Sequence, residues 1–222
     1  MSAHDRLTHL LELAGEGSQR TALVGELADL LLDWPCDCPD AMRAPVVALL
    51  EKTVRETDDD TRAKLAARLG GHGELPLELV NEFYLSAPRS VRREILMRNE
   101  LAGEADDVAA EPDAALLVAA ARDAKLGDFT ERFGSAFAIA PCTAETILCD
   151  ASGEALAVLC KGAHLDRAAF SAVALLKGAP AADTAARLCA FDMVPQHAAE
   201  RLTRYWQIHH SPSEYRQTEA AE

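Results

Sequence analysis

DRAAFSAVALL, from Asp166 to Leu176, and PQHAAERLTRYW, from Pro195 to Trp206, are the stretches that decide the fold of this chain. Each opens on a residue suited to starting a helix, and each carries a larger apolar residue seven places later, Val173 and Leu202. The opening residue follows one that closes the preceding loop, Leu165 or Val194. Fainter copies read PLELVNEFYL from Pro76, between Leu75 and Phe83, and PCTAETILCD from Pro141, between Ala140 and Leu148. Seven places before Pro76, Asp166 and Pro195 stand Leu69, Leu159 and Leu188; before Pro141 stands Gly134, so that copy is degenerate. A helix-loop-helix unit recurring about every 25–29 residues predicts stacked helical pairs, each burying a stripe that no pair could bury alone. The expectation is an all-α, irregular HEAT-like α-solenoid of about 12–13 helices.

Composition agrees with that reading. The chain has 222 residues, 49% apolar and 26% charged, enough to bury a sizeable core. Ala and Leu abound, aromatics make up 5%, and there are four Ile, so helix propensity outweighs strand propensity. Net charge is −14, from 36 acidic and 22 basic residues. Neutralising phosphates supplies most nucleic-acid affinity, so this balance argues against DNA or RNA as partner. No apolar run approaches the ~20 residues that span a bilayer. MSAHDRLTHLLEL lacks the basic start and cleavage site of a signal peptide, which predicts a cytoplasmic protein. Of the six cysteines, Cys142, Cys149, Cys160 and Cys189 are expected as reduced, mostly buried thiols on apolar helix faces.

Read along the chain, residues 1–101 form an N-terminal helical region, with helices expected at about His4–Ala14, Gln19–Asp33, Asp40–Glu56, Thr61–Leu69, from Pro76, and at Pro88–Asn99. Asp58 to Asp60 supply an N-cap and a carboxylate run for the fourth. Residues 102–112, AGEADDVAAEP, hold four acids and no base and read as an acidic linker or insertion. Residues 113–210 form a C-terminal helical-repeat region, with helix starts near Asp113, Asp128, Pro141, Gly153, Asp166, Pro180 and Pro195. Residues 211–222 read as a flexible tail.

TRAKLAARLGGHGELPLELV, SGEALAVLCKGAHLDRAAFSAV and LTHLLELAGEGSQRTALVGELADLLLD together resemble a bacterial, mainly alphaproteobacterial, family of HEAT-like helical-repeat proteins catalogued as domain of unknown function 2336. The resemblance spans roughly residues 5–200 in order, and departs from the family pattern at 102–112 and at the Cys36/Cys38 loop. It implies an α-solenoid-like scaffold and carries no catalytic residue onto this chain.

Several clusters hold chemistry-bearing residues. Cys36-Asp37-Cys38, with Asp33, Asp40 and the candidate further ligands His4 or His9, is the most metal-like; yet structural zinc sites present two spaced ligand pairs, and one CxC in an interhelical loop is the plainer account. No metal and no cofactor is expected. His209-His210 fits a helix C-terminus, where imidazolium complements the dipole. Gly70-Gly71-His72-Gly73 lacks the Lys-Ser/Thr of a phosphate loop and reads as a C-cap and connection. Arg89, Arg92, Arg93 and Arg98 form the densest basic group and are the candidate contact for an acidic partner, against simple pairing with the chain's own acids. GxSxG, HExxH and GxGxxG are all missing. The expected function is therefore a non-enzymatic scaffold or adaptor that binds a protein partner. The alternatives are a HEAT-like DNA-binding protein and a histidine-dependent signalling module using a helical His9 or His197. Oligomeric state is left open.

Overall fold

The computed structural model describes residues 20–36, 39–73, 75–103, 111–179 and 183–212, and every regular element within them is helical. The chain divides into two compact units, 1–95 and 96–222, and the division falls inside a helix, after Ile95. The expected first helix at 4–14, the acidic stretch 104–110 and the tail from 213 onward lie outside the described residues.

In the first unit, α1 (Arg20–Leu32) buries Leu23, Val24, Leu27, Leu30 and Leu31, the three- and four-residue spacing of one helix face. A 3-10 turn (Asp40–Met42) leads into α2 (Arg43–Arg55), which packs on α1 and buries Val46, Val47, Leu50 and Val54. Pro45 falls in the first turn of α2, where its missing N–H costs no hydrogen bond. α3 (Asp59–Leu69) starts as its acidic run predicts: the Asp58 carboxylate accepts from the Thr61 N–H and the Thr61 hydroxyl, both at 2.8 Å. These two donors hold the Asp58 carboxyl below its ordinary range.

α4 (Leu77–Glu82) is shorter than the pattern after Pro76 predicts. Its first residue follows Pro76, but beyond Glu82 the chain winds through consecutive turns to Pro88. A residue before proline is driven out of the helical region, so α4 cannot run on into the next helix. Phe83 thus lies past the helix end, yet it is fully buried beside Tyr84. α5 (Arg89–Leu101) closes the first unit and opens the second.

The second unit is organised around α9. Its helices are α6 (Ala114–Asp123), α7 (Leu126–Phe137), α8 (Pro141–Cys149), α9 (Glu154–Gly162), α10 (Arg167–Leu176), α11 (Thr184–Met193) and α12 (Gln196–His209). α9 reads EALAVLCKG, apolar around its circumference, and every residue except Glu154 and Lys161 is buried. Such a helix must be covered on all sides, and α8, α10, α11 and α12 cover it, α12 most extensively. Close approach is possible because Gly162 faces α12: a Cβ there would stand 2.7 Å from the Ala199 carbonyl carbon. Thr203 adds a buried hydrogen bond from its hydroxyl to the Val158 carbonyl at 3.3 Å.

The recurring helix starts share one pattern of burial. Leu75, Ala140, Leu165 and Val194, which precede them, are all buried, and so are Phe83, Leu148, Val173 and Leu202 seven residues on. Gly134, the degenerate position, is also buried; a Cβ there would stand 2.9 Å from the Ile139 carbonyl oxygen. It belongs to a tight helix end. Ala138 adopts the left-handed conformation at φ 57°, and the Ile139 N–H reaches back to the Gly134 carbonyl at 2.9 Å. α9 ends the same way, with His164 at φ 57° and Leu165 N–H on the Cys160 carbonyl.

Several expected boundaries shift: α3 begins at Asp59 rather than at Thr61, and α2 at Arg43, after the 3-10 turn, rather than at Asp40. α7 begins at Leu126 rather than at Asp128, which sits in its first turn. α11 begins at Thr184, capped by the Asp183 carboxylate on the Ala186 N–H at 3.0 Å; the Pro180 start lies outside the described residues.

Candidate functional site

The basic group on α5 does not act as one surface. Helical spacing puts Arg89, Arg92 and Arg93 on one side of α5 and Arg98 away from them. Arg92 serves the fold: its Nε donates to the Ala87 carbonyl at 3.0 Å and its Nη2 to the Leu85 carbonyl at 2.8 Å, with the guanidinium 5.5 Å from the Tyr84 ring centre. It thereby satisfies the carbonyls of the turns that end before Pro88. Arg98 is half-buried, and the loss of water holds its pKa below the ordinary value. Arg89 and Arg93 are exposed. They are the two members of the group whose charge is presented outward.

The thiol candidates separate as well. Cys36 is exposed, Cys38 and the histidines 4 and 9 lie outside the described residues, and no group of three or more potential metal ligands occurs among the described residues. Cys142, Cys149 and Cys189 are exposed rather than buried. The reason is rotational: α8 buries Thr143, Ala144, Ile147 and Leu148, so positions 142 and 149, two turns apart, line the opposite side. Among the described cysteines only Cys160, on α9, is enclosed, and burial pushes its thiol pKa well up.

His209 and His210 end α12, as their place in the sequence predicts. His209 lies 4.6 Å, ring centre to ring centre, from Tyr205. The His210 carbonyl accepts the Ala140 N–H at 2.6 Å, and its Nδ1 lies 3.4 Å from the Thr143 hydroxyl, tying the end of α12 to the start of α8. His197 sits in the first turn of α12, half-exposed, with its Nδ1 3.5 Å from Glu100. Gly70 caps α3, its N–H on the Ala66 carbonyl at 2.9 Å, and a Cβ at this position would strike Val91. This glycine is required by the close packing of a connection.

One concavity escaped the pattern of the sequence. A groove of about 850 Å³ runs between α7 and α8, walled by Leu126, Thr130, Cys142, Leu148, Ala179 and Pro212. Its ionisable residues are Glu131 on α7, Glu145 on α8 and Lys177 beyond α10. The Lys177 ammonium donates to the Ala124 carbonyl at 2.5 Å and lies 5.9 Å from the Phe129 ring centre. The only sequence signal was the pair of cysteines seven apart on a helix, which an apolar-face reading absorbs into the core. Compared with known protein families, with curated proteins and with solved structures, the chain has no match in any of the three.

Proposed function

We propose that this chain is a non-enzymatic helical-repeat scaffold of the HEAT-like kind that its segments resemble, binding a protein partner through surfaces its packed pairs hold in place. The observation that carries this reading is the buried register: four helix starts bury the residue before the start and the residue seven places on. A unit that turns the same positions inward each time leaves its other faces as a recurring surface, and folds of this class work by offering such surfaces. In a chain of net charge −14, Arg89 and Arg93 are a local exception. They are the contact we assign to an acidic segment of the partner.

Affinity isolation from native cells with the tagged chain tests the reading. A partner retained reproducibly, and lost on the order of tenfold on combining Arg89→Glu with Arg93→Glu, is the expected result. Capturing nothing would remove the scaffold reading itself. Undiminished capture by the double variant would remove the placement on α5.

A further inference from the structure

We propose that the groove between α7 and α8 docks a basic amphipathic helix of a protein partner. The proposal rests on the scaffold reading and adds a second surface, of opposite charge preference to Arg89 and Arg93.

The shape suits a helix. From Cys142 to Cys149 the wall runs along two turns of α8, about 10 Å at the rise of an α-helix. A guest helix presents apolar anchors at i, i+4 and i+7 over the same length. Thr130, Cys142 and Cys149 are small, so a guest backbone can come close, while Leu126 supplies exposed apolar surface. Leu126 is 55% exposed, a large apolar side chain left in water beside an apolar groove.

Charge selects the guest. Lys177 is the one cation among the lining residues, and its ammonium is turned into the wall against the Ala124 carbonyl and the Phe129 ring. Glu131 and Glu145 are exposed and stand on the two helices that flank the groove. The rim therefore offers two carboxylates, within a chain that is itself strongly acidic. A guest with Lys or Arg flanking an apolar stripe is attracted at long range and paired at contact; an acidic guest is repelled at both.

The thiols supply the test. Cys142 and Cys149 lie inside the groove, whereas Cys36 and Cys189 are exposed but are not among its lining residues. The probe is a fluorescein-labelled synthetic peptide of about 18 residues with Leu on one helical face and Lys on the other, long enough to form a helix on binding. Its Gln and Glu counterparts share the apolar face. Anisotropy titrations with the full chain are paired with timed maleimide labelling read by peptide mass spectrometry. The Lys peptide is expected to bind most tightly and to slow labelling of Cys142 and Cys149 at least ~tenfold, leaving Cys36 and Cys189 unchanged. Glu145→Lys and Thr130→Trp, each checked for an unchanged melting curve, are expected to weaken binding on the order of tenfold. Because Glu145 is exposed, its variant keeps the test available if Thr130→Trp does not fold.

Equal binding of the Gln or Glu peptide would overturn the assigned guest chemistry. Unchanged affinity in both variants, or uniform protection of all four thiols, would overturn the groove as the site. Protection of Cys142 and Cys149 by myristate but not by the Lys peptide would overturn a helix in favour of a lipid. If the groove fails while Arg89→Glu/Arg93→Glu still abolishes capture of a native partner, the scaffold reading stands without it.

Discussion

Gly162 and Ala138 carry opposite expectations, each set by local geometry. A methyl group at Gly162 would meet the carbonyl of Ala199 and the hydroxyl of Thr203, so α9 and α12 would have to part. Glycine in a helix costs about 1 kcal/mol relative to alanine, yet overpacking at a backbone contact outweighs that gain. Gly162→Ala is expected to destabilise by about 3 kcal/mol, read from the urea midpoint. An unchanged midpoint would mean that the helices do not approach as closely as described. At Ala138 the sign reverses. Its left-handed conformation strains a Cβ by roughly 1 kcal/mol, and Ala138→Gly removes that strain at some cost in unfolded-chain entropy. A net gain of about 0.5 kcal/mol is expected from the same titration. Glu51 gives a pH signature. Burial raises its pKa first; Arg55 opposes this, while Glu78 and Glu82 add to it. A carboxyl whose folded pKa is raised binds its proton more tightly when folded, so its ionisation costs stability as pH climbs through that value. Glu51→Gln should therefore raise the melting temperature at neutral pH, and the advantage should fade below the ordinary carboxyl range. A difference that stays constant from pH 3 to 7 would exclude this origin.

Elements in this molecule are held as much by their ends as by their faces. The Asp166 carboxylate accepts the Ala169 N–H at 2.7 Å and starts α10. Asp166→Ala is expected to cost about 1 kcal/mol, and a melting curve that does not move would show that the cap is redundant. α12 begins after Pro195, which has no capping side chain, and borrows one: Glu100, in α5, accepts the Ala198 N–H at 3.1 Å. In return Arg201 donates to the Gly103 carbonyl at 3.1 Å, just past the end of α5. Lys161 likewise reaches the Phe191 and Val194 carbonyls at 3.2 and 2.7 Å and closes α11. These long-range caps have no sequence signature, because each partner lies tens of residues away. Local caps do: Asp58, Asp113 and Asp166 are legible as a carboxylate placed before a helical run, whereas Asp183 is overshadowed in the sequence by the more obvious start at Pro180. The same contrast explains the misplaced thiols. Apolar periodicity names a face, but on a nine-residue helix such as α8 it does not say which of two faces the neighbours cover.

For the whole molecule, an all-helical chain was legible from composition and from the repeated helix start, and the buried register follows directly from that start. The division after Ile95 was not, since α5 runs through it with an unbroken helical pattern and no loop chemistry marks it. The groove was also hidden, because it needs residues from α7, α8, the end of α10 and Pro212 brought together. Net charge, in contrast, is read from sequence alone and has a consequence at this scale. Several of the ion pairs present, such as Lys64 with Asp60 and Arg167 with Asp192, are exposed, and water and salt screen pairs of that kind so that they add little to stability. Against them stands the mutual repulsion of an excess of fourteen negative charges in 222 residues. Salt weakens both, but the repulsion acts over longer distances and is screened first: the Debye length falls from about 30 Å at 0.01 M to about 3 Å at 1 M. If repulsion dominates, sodium chloride must raise the melting temperature, with most of the rise complete by about 0.1–0.2 M, where the Debye length has already dropped to about 8–10 Å. A flat or falling curve over that range would mean that the exposed pairs outweigh the excess charge. The same screening should loosen a basic helix held at Glu131 and Glu145, so salt is expected to stabilise the chain while weakening the basic peptide bound to it.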